Sequence, residues 1–353
     1  MVEKSIILGD CHFDEKHGDA KLLKIQQQFF DSLIQYCVDN EINRIYQVGD
    51  ITHNRTSLSL NVQSSLLRIF TQLEMNQIEM VYLIGNHDIF YKDSREIFSM
   101  EVFEKAFPTT FKVIKEPTLL DDIYLVPWMV SGEKLNVPKE ARAIMGHFEM
   151  KDFYVTKTFK SEHGLTKEQF KDIPVYSGHY HLKQDVGNIH YVGTPYQLDW
   201  NDFNSLKGIH VLDHATMTTS FIENKSTTQH IKLYLDVETK KVEIEGYSGA
   251  SLVDVSKILD VIPNGPHKFK IYAKKELAIT KKLVEILEGA SHTVKLEIMP
   301  EEEEVDIEER LEKVKSLSIS DSIIAIVDDD DKSITHDIIT EAKSLMMNDK
   351  GGE

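Results

Sequence analysis

The chain has 353 residues, 41% apolar and 28% charged, with a formal net charge of −18; that length allows two or three domains, each with its own core. No run of about 18 apolar residues occurs, which excludes a membrane-spanning helix, and two cysteines, Cys11 and Cys37, exclude a disulfide framework. The acidity is uneven: residues 296–353 hold 18 Asp/Glu against 6 Lys/Arg, or −12 of the −18, so the remaining chain carries only −6 and the bulk charge neither demands nor forbids a polyanionic partner.

The opening MVEKSIILGDCHF shows no signal-type apolar region and no small-residue cleavage site, which predicts a cytoplasmic protein. Over roughly the first 215 residues, short runs rich in Ile, Val and Tyr end abruptly in polar clusters. They are SIILGDCH, RIYQVGD, EMVYLIGNHD, ARAIMGHFE, IPVYSGHYH and KGIHVLD, and each reads as a buried strand. AKLLKIQQQFFDSLIQYCVDN and LSLNVQSSLLRIFTQLEMN between the early runs carry apolar residues at helical spacing. Alternating strands and helices predict α/β layering, with ligands beyond the carboxyl ends of the strands.

The texture changes near residue 228. IKLYLDVETKKVEIEG predicts a hairpin, a helix is expected near 251–260, HKFKIYAK and HTVKLEIM predict strands, and a helix is expected around 276–289. PEEEEVDIEERLEKVKS then opens an acidic linker and helix, and ITHDIITEAKSLMM is amphipathic.

The polar clusters carry the chemistry. In order they are Asp10-x-His12, Gly49-Asp50, Gly85-Asn86-His87-Asp88, Gly146-His147 and Gly178-His179-x-His181. Carboxylate, amide and imidazole together suit manganese, iron or zinc, and the lack of thiolates argues against a structural zinc site. Singly, GD is usually a turn, GNHD is as often a loop or Asx-turn as a site, and GHYH is as often a surface strand end. Five of them, each closing a strand, point to a shared site. Seven candidate ligands exceed the needs of one ion, whereas two ions sharing a carboxylate would use them all. If GHYH continues its strand, His179 and His181 project to the same side and give one imidazole to each ion.

The order DxH, GD, GNHD, GH, GHxH resembles the calcineurin-like metallophosphoesterases. Within them the chain is most similar to the nuclease subunit of SbcCD-type repair complexes, and closer still to the recombination endonuclease subunit of T-even-like bacteriophages. YLVPWM, SEHGL, YSGHYH and YVGTPYQL share the likeness, which covers roughly residues 1–215. The resemblance implies a four-layer α/β/β/α sandwich over residues 1–225, a small α+β capping domain that guides DNA over residues 226–300, and a helical ATPase-binding segment over 301–353. It implies that Asp10, His12, Asp50 and His181 hold one divalent ion, and that Asp50, Asn86, His147 and His179 hold the other. Manganese is the ion expected. His87 matches the catalytic histidine, His53 matches an active-site histidine of some members, and Asp88 would support His87 from the second shell or serve the fold.

The function implied is hydrolysis of DNA phosphodiesters, by exonuclease and endonuclease action, as part of a recombination and repair complex. The expected partners are DNA ends and single strands, an SMC-like ATPase, and a second copy of the chain within a heterotetramer. A phosphomonoesterase or cyclic-nucleotide phosphodiesterase with the same core, or a non-catalytic metal-binding scaffold, are the alternatives. The complete ligand set and the presence of His87 argue against the scaffold. Cys11 departs from the residues common in relatives and reads as packing. Lys183 and Lys207 are candidates for phosphate contacts, and the 194–203 loop either supports the metal loops or stacks on a base.

Overall fold

The structure is a computed structural model that describes residues 2–298 apart from 16–17, 171, 247–251, 263–266 and 275–276. The segment expected to bind an ATPase, 301–353, lies outside the described residues.

The apolar runs form the middle of two six-stranded sheets. In the first sheet, β1 (Lys4–Leu8), β2 (Arg44–Gln47), β3 (Glu79–Leu83) and β4 (Phe111–Ile114) run parallel, and β11 (Gly208–Asp213) and β12 (Thr218–Glu223) extend it antiparallel beyond β1. Parallel neighbours need long crossovers. These are α1 (Ala20–Asp39), α2 (Leu60–Met75) and a segment containing α3 (Glu101–Ala106). The Asp19 carboxylate caps α1 by accepting from the N–H groups of Lys21 and Leu22 at 3.0 and 2.9 Å. From there Ile25, Phe29, Phe30 and Leu33 recur on one face and are buried with Ile69 and Phe70 of α2 against the sheet. Each such side chain contributes roughly 1.5–3 kcal/mol by leaving water.

The second sheet runs β5 (Thr118–Leu120), β6 (Ile123–Val126), β7 (Ala143–Gly146), β8 (Val175–Ser177), β10 (Ile189–Tyr191) and β9 (Gln184–Val186), parallel from β6 through β10. Ile7, Tyr46, Val81 and Leu83 of the first sheet share one apolar cluster with Leu125, Ala143, Met145 and Tyr176 of the second, so the sheets pack face to face. The far side of the second sheet packs on loop residues and a 3₁₀ turn at 167–170, with no α-helix there among the described residues.

A third, five-stranded sheet orders β15 (Leu252–Asp254), β14 (Lys241–Glu245), β13 (His230–Asp236), β16 (Lys268–Ala273) and β17 (Thr293–Ile298). The hairpin, both later strands and the later helix, α5 (Ala278–Gly289), fall where the sequence pattern puts them. The 251–260 segment does not start as a helix. It enters as β15, passes through a 3₁₀ turn, and only then forms α4 (Ile258–Val261). Pairing of Val253 opposite Val242 places it on the sheet's core, and that tertiary contact overrides the local helical pattern. No helix among the described residues is long and apolar enough to cross a membrane.

Candidate metal centre

Strand register brings the clusters together. Leu8 pairs with Gln47 and Gln47 with Tyr82, so β1, β2 and β3 end level and their next residues carry Asp10, Asp50 and Asn86. In the second sheet Val126 pairs with Gly146 and Gly146 with Ser177, so His147 and His179 leave at one height. All five clusters therefore meet at the carboxyl ends of parallel strands, where α/β sheets bind ligands.

The ligand atoms form two overlapping groups. Asp10, His12 and His181 make one, with the Nε2 atoms of His12 and His181 2.9 Å apart. Asp10, Asp50 and His147 make the other; there the Asn86 side-chain oxygen accepts from His147 Nε2 at 2.8 Å and from His179 Nδ1 at 3.0 Å. One Asp50 oxygen lies 3.3 Å from His147 Nε2 and 3.8 Å from His12 Nε2, between the two groups. The His147 Nδ1–H donates to the Val48 carbonyl at 2.8 Å, which leaves Nε2 as the nitrogen that could coordinate an ion.

The backbone is unusual where these residues sit. His12, Asp50 and His179 all have positive φ, +46°, +53° and +85°. Non-glycine residues seldom hold that conformation, and strain of this kind concentrates at functional sites. The glycines matter for a different reason, close approach. A Cβ at Gly49 would stand 2.1 Å from His147 Nδ1, and one at Gly178 would stand 2.5 Å from an Asp10 oxygen.

The left-handed turn at His179 also corrects the extended reading of GHYH. The strand stops at Ser177 and the chain bends, so His179 and His181 do not share a face by alternation. The bend sends His179 toward Asn86 and His181 toward His12.

His87 stands over the first group. Its Nδ1 lies 2.9 Å from the His53 carbonyl, an acceptor, so Nδ1 carries the hydrogen and Nε2 is free. Its backbone N–H donates to Asp50 at 2.8 Å. His53 stacks on His87 at 5.0 Å and places Nδ1 3.2 Å from His12 Nδ1. Asp88 serves the fold of this loop. Fully buried, it accepts from the N–H groups of Asp50 and Gly85 at 2.7 and 2.9 Å and from the N–H and hydroxyl of Thr52 at 2.9 and 3.0 Å.

Sequence reasoning missed the residues that brace the centre. Gln26, the polar residue in the apolar stripe of α1, donates to the carbonyls of Cys11 and His12 at 3.0 and 3.3 Å. Gln47, polar within its strand, donates to the Gly9 and Gly49 carbonyls. Lys207 does not meet phosphate from the surface: it is buried and donates to the His181 carbonyl at 2.8 Å, Thr194 at 2.6 Å and Asp202 at 2.5 Å. Lys183 pairs with Asp185 and lies over the Phe221 ring. The 194–203 loop packs: Tyr196 is buried and its hydroxyl donates to the Cys11 carbonyl at 2.6 Å. Cys11 is buried in the core beneath it.

The electrostatics of the cluster are set by burial and by the contacts among its carboxylates and imidazoles. Burial, and the Asp50 charge against the pull of His147, push the Asp10 carboxyl up to about 8. Burial alone would raise Asp50, but His147 and His12 hold it well below the usual carboxylate range. Burial opposes protonation of His147, yet Asp50 and Asp10 raise it to about 9. Burial keeps His12 well below its ordinary value, His179 at about 3 and His181 at about 4, so these three imidazoles stay neutral with lone pairs available. Two carboxylates, an amide oxygen and four imidazoles converging here fit divalent cations, and His147 would have to give up its Nε2 proton to serve as a ligand.

No protein-family model matches the chain. Over 247 residues, 67% of the chain and 72% of the relative, it is 32% identical to exonuclease subunit 1 of Enterobacteria phage T4. The chain belongs to that family, the metallophosphoesterase nucleases of bacteriophage type. Among solved structures it is similar to Pseudomonas putida nuclease MPE over 61% of this chain and 87% of that one, at a TM-score of 0.29 and 11% identity, which carries no argument.

Proposed function

We propose that this member of the family is a two-metal DNA nuclease working with manganese, and that residues 1–225, 226–300 and 301–353 are its nuclease domain, without the outer α layer of the expected four-layer sandwich among the described residues, its DNA-guiding cap and its segment for an SMC-like ATPase. The carrying observation is the convergence of five loop clusters on two ligand groups that share Asp10, with one Asp50 oxygen between them. Asp10, His12, Asp50 and His181 would hold one ion and Asp50, Asn86, His147 and His179 the other. Bound there, divalent ions supply Lewis acidity toward a phosphoryl oxygen and make water a nucleophile near neutral pH.

The chain's own residues do the rest. With His87 Nδ1–H tied to the His53 carbonyl, a proton taken up at Nε2 would be the one passed to the leaving oxygen, the ring returning to its neutral Nδ1–H form. His53 positions two rings at once, His87 by stacking and His12 through Nδ1. Asp88 holds Asp50 at its strained φ by accepting from the Asp50 N–H. The subunit name of the phage T4 relative supports a partner for this chain, and DNA as substrate rests on the same relative.

The test is cleavage of an end-labelled blunt duplex with manganese, run beside bis-(p-nitrophenyl) phosphate and p-nitrophenyl phosphate, with EDTA and His87→Ala controls. DNA shortening lost in both controls is the expected result. Turnover of the monoester alone, with DNA intact even after an SMC-like ATPase and ATP are added, would make the protein a phosphatase.

A further inference from the structure

Two stretches of the sequence, YLVPWM and SEHGL, supply none of the seven ligands, and they meet at a cavity of about 210 Å³ beside His147. Trp128, Met129, Val130, Phe148 and Leu165 form its apolar wall, and Glu133 and Glu149 also line it. An apolar cavity of roughly 150 Å³ takes up benzene, so this volume suits one flat heterocycle.

The wall is firmly held. Arg95, 7% exposed, donates to the Trp128 carbonyl at 2.6 Å and grips both oxygens of Glu133 at 2.5 and 2.7 Å. The Trp128 N–H donates to the Ile84 carbonyl at 2.7 Å. Across the cavity Gly164, at φ +98°, brings its chain so near that a Cβ would stand 2.3 Å from the Glu149 carbonyl oxygen. The Glu149 carboxylate makes no hydrogen bond or ion pair among the described residues.

Its place relative to the reacting groups is defined. The Trp128 ring lies 5.2 Å from His179 and 6.0 Å from His147. His87 and His53 stack on each other beside His12, at 5.1 and 5.2 Å from that ring. A phosphoester lying between them with its leaving oxygen toward His87 would have its other substituent on the side of the cavity.

We infer that this cavity is a nucleobase subsite for the nucleoside that stays on phosphorus, an inference that rests on the phosphodiesterase reading. Trp128 supplies the stacking face. Glu149 accepts an N–H, which every base offers on its pairing edge, so the subsite selects nucleosidic esters over simple ones without selecting sequence.

Thymidine 5′-(p-nitrophenyl phosphate) and methyl p-nitrophenyl phosphate share a leaving group and differ only in the substituent placed in the cavity. Leu165→Trp and Met129→Trp each fill it from a different loop. Each variant is expected to lower kcat/KM on the nucleoside ester about tenfold, the scale of one lost base stack, and to leave the methyl ester within about twofold. Equal losses on both esters, or none on either, overturn the subsite. Calorimetric binding of thymidine 5′-monophosphate with manganese needs no turnover: both variants weaken it similarly if the subsite is real, and unchanged affinity overturns it. If the wild type hydrolyses neither ester yet binds the monophosphate in a cavity-dependent way, the phosphodiesterase reading falls and the subsite stands.

Discussion

Asp88→Asn is the substitution that most directly probes how the centre is held in shape. The carboxylate receives four hydrogen bonds on two oxygens, from Thr52 N–H and hydroxyl on one and from Asp50 and Gly85 N–H on the other, at 2.7–3.0 Å. Burial and the Asp50 charge push its pKa up, but four donors aimed at it require the ionised form. An asparagine has one oxygen. Whichever way its amide is turned, an NH2 faces at least one buried backbone N–H, which loses its acceptor while the surviving bonds lose their charge. An orphaned buried donor costs about 1–3 kcal/mol and a bond that loses its charge weakens by about 1 kcal/mol, so the sum is about 2–4 kcal/mol. The perturbation also reaches the metal ligands, because Asp50 at φ +53° loses its tether. Changes in such outer partners weaken metal binding about 10–100-fold. Urea unfolding in EDTA reads the first quantity and calorimetric titration with manganese the second. A stability loss under about 1 kcal/mol together with manganese affinity within about twofold of wild type would show that Asp88 does not position the Asp50 loop.

The metal-free protein should lose stability between pH 6.5 and 9. Asp10 and His147 have folded pKa values raised to about 8 and about 9, so the stability they give is greatest at low pH and disappears as pH rises through those values. His179 and His181 are depressed to about 3 and about 4, so their contribution is complete above 6.5 and declines only in acid, where it opposes that of Asp10. A thermal scan in EDTA at half-unit steps should therefore show an alkaline decline that saturating manganese removes; a flat profile across pH 6.5–9 would contradict the burial assigned to this pair. Lys207→Met should destabilise by about 3–5 kcal/mol, because it leaves Asp202 charged and buried without its cation. Adding Asp202→Asn to it should restore most of that loss in urea unfolding, while manganese affinity stays reduced because the His181 carbonyl still lacks its donor.

Much of the centre is legible in the chain alone, because ligand chemistry and strand periodicity are local properties. The residue types in DCH, GD, GNHD, GH and GHYH specify hard and borderline donors, and the apolar run before each places it at a strand end. Both long helices and most strands of the third sheet were likewise readable from apolar spacing. Other features depend on residues far apart in sequence, and no local pattern contains them. Asp88 looked like a partner for the adjacent His87, but its acceptor geometry is taken up by Gly85 and by the Asp50–Thr52 loop, more than thirty residues away. Lys207 looked like a surface charge until packing placed it against the His181 carbonyl and Asp202. The left-handed turns at His12, Asp50 and His179 lie where loops from strands of two different sheets meet in one small volume. Donor identity and spacing were thus properties of the sequence, while conformation, bracing and the cavity beside His147 came from long-range packing, which a one-dimensional pattern cannot encode.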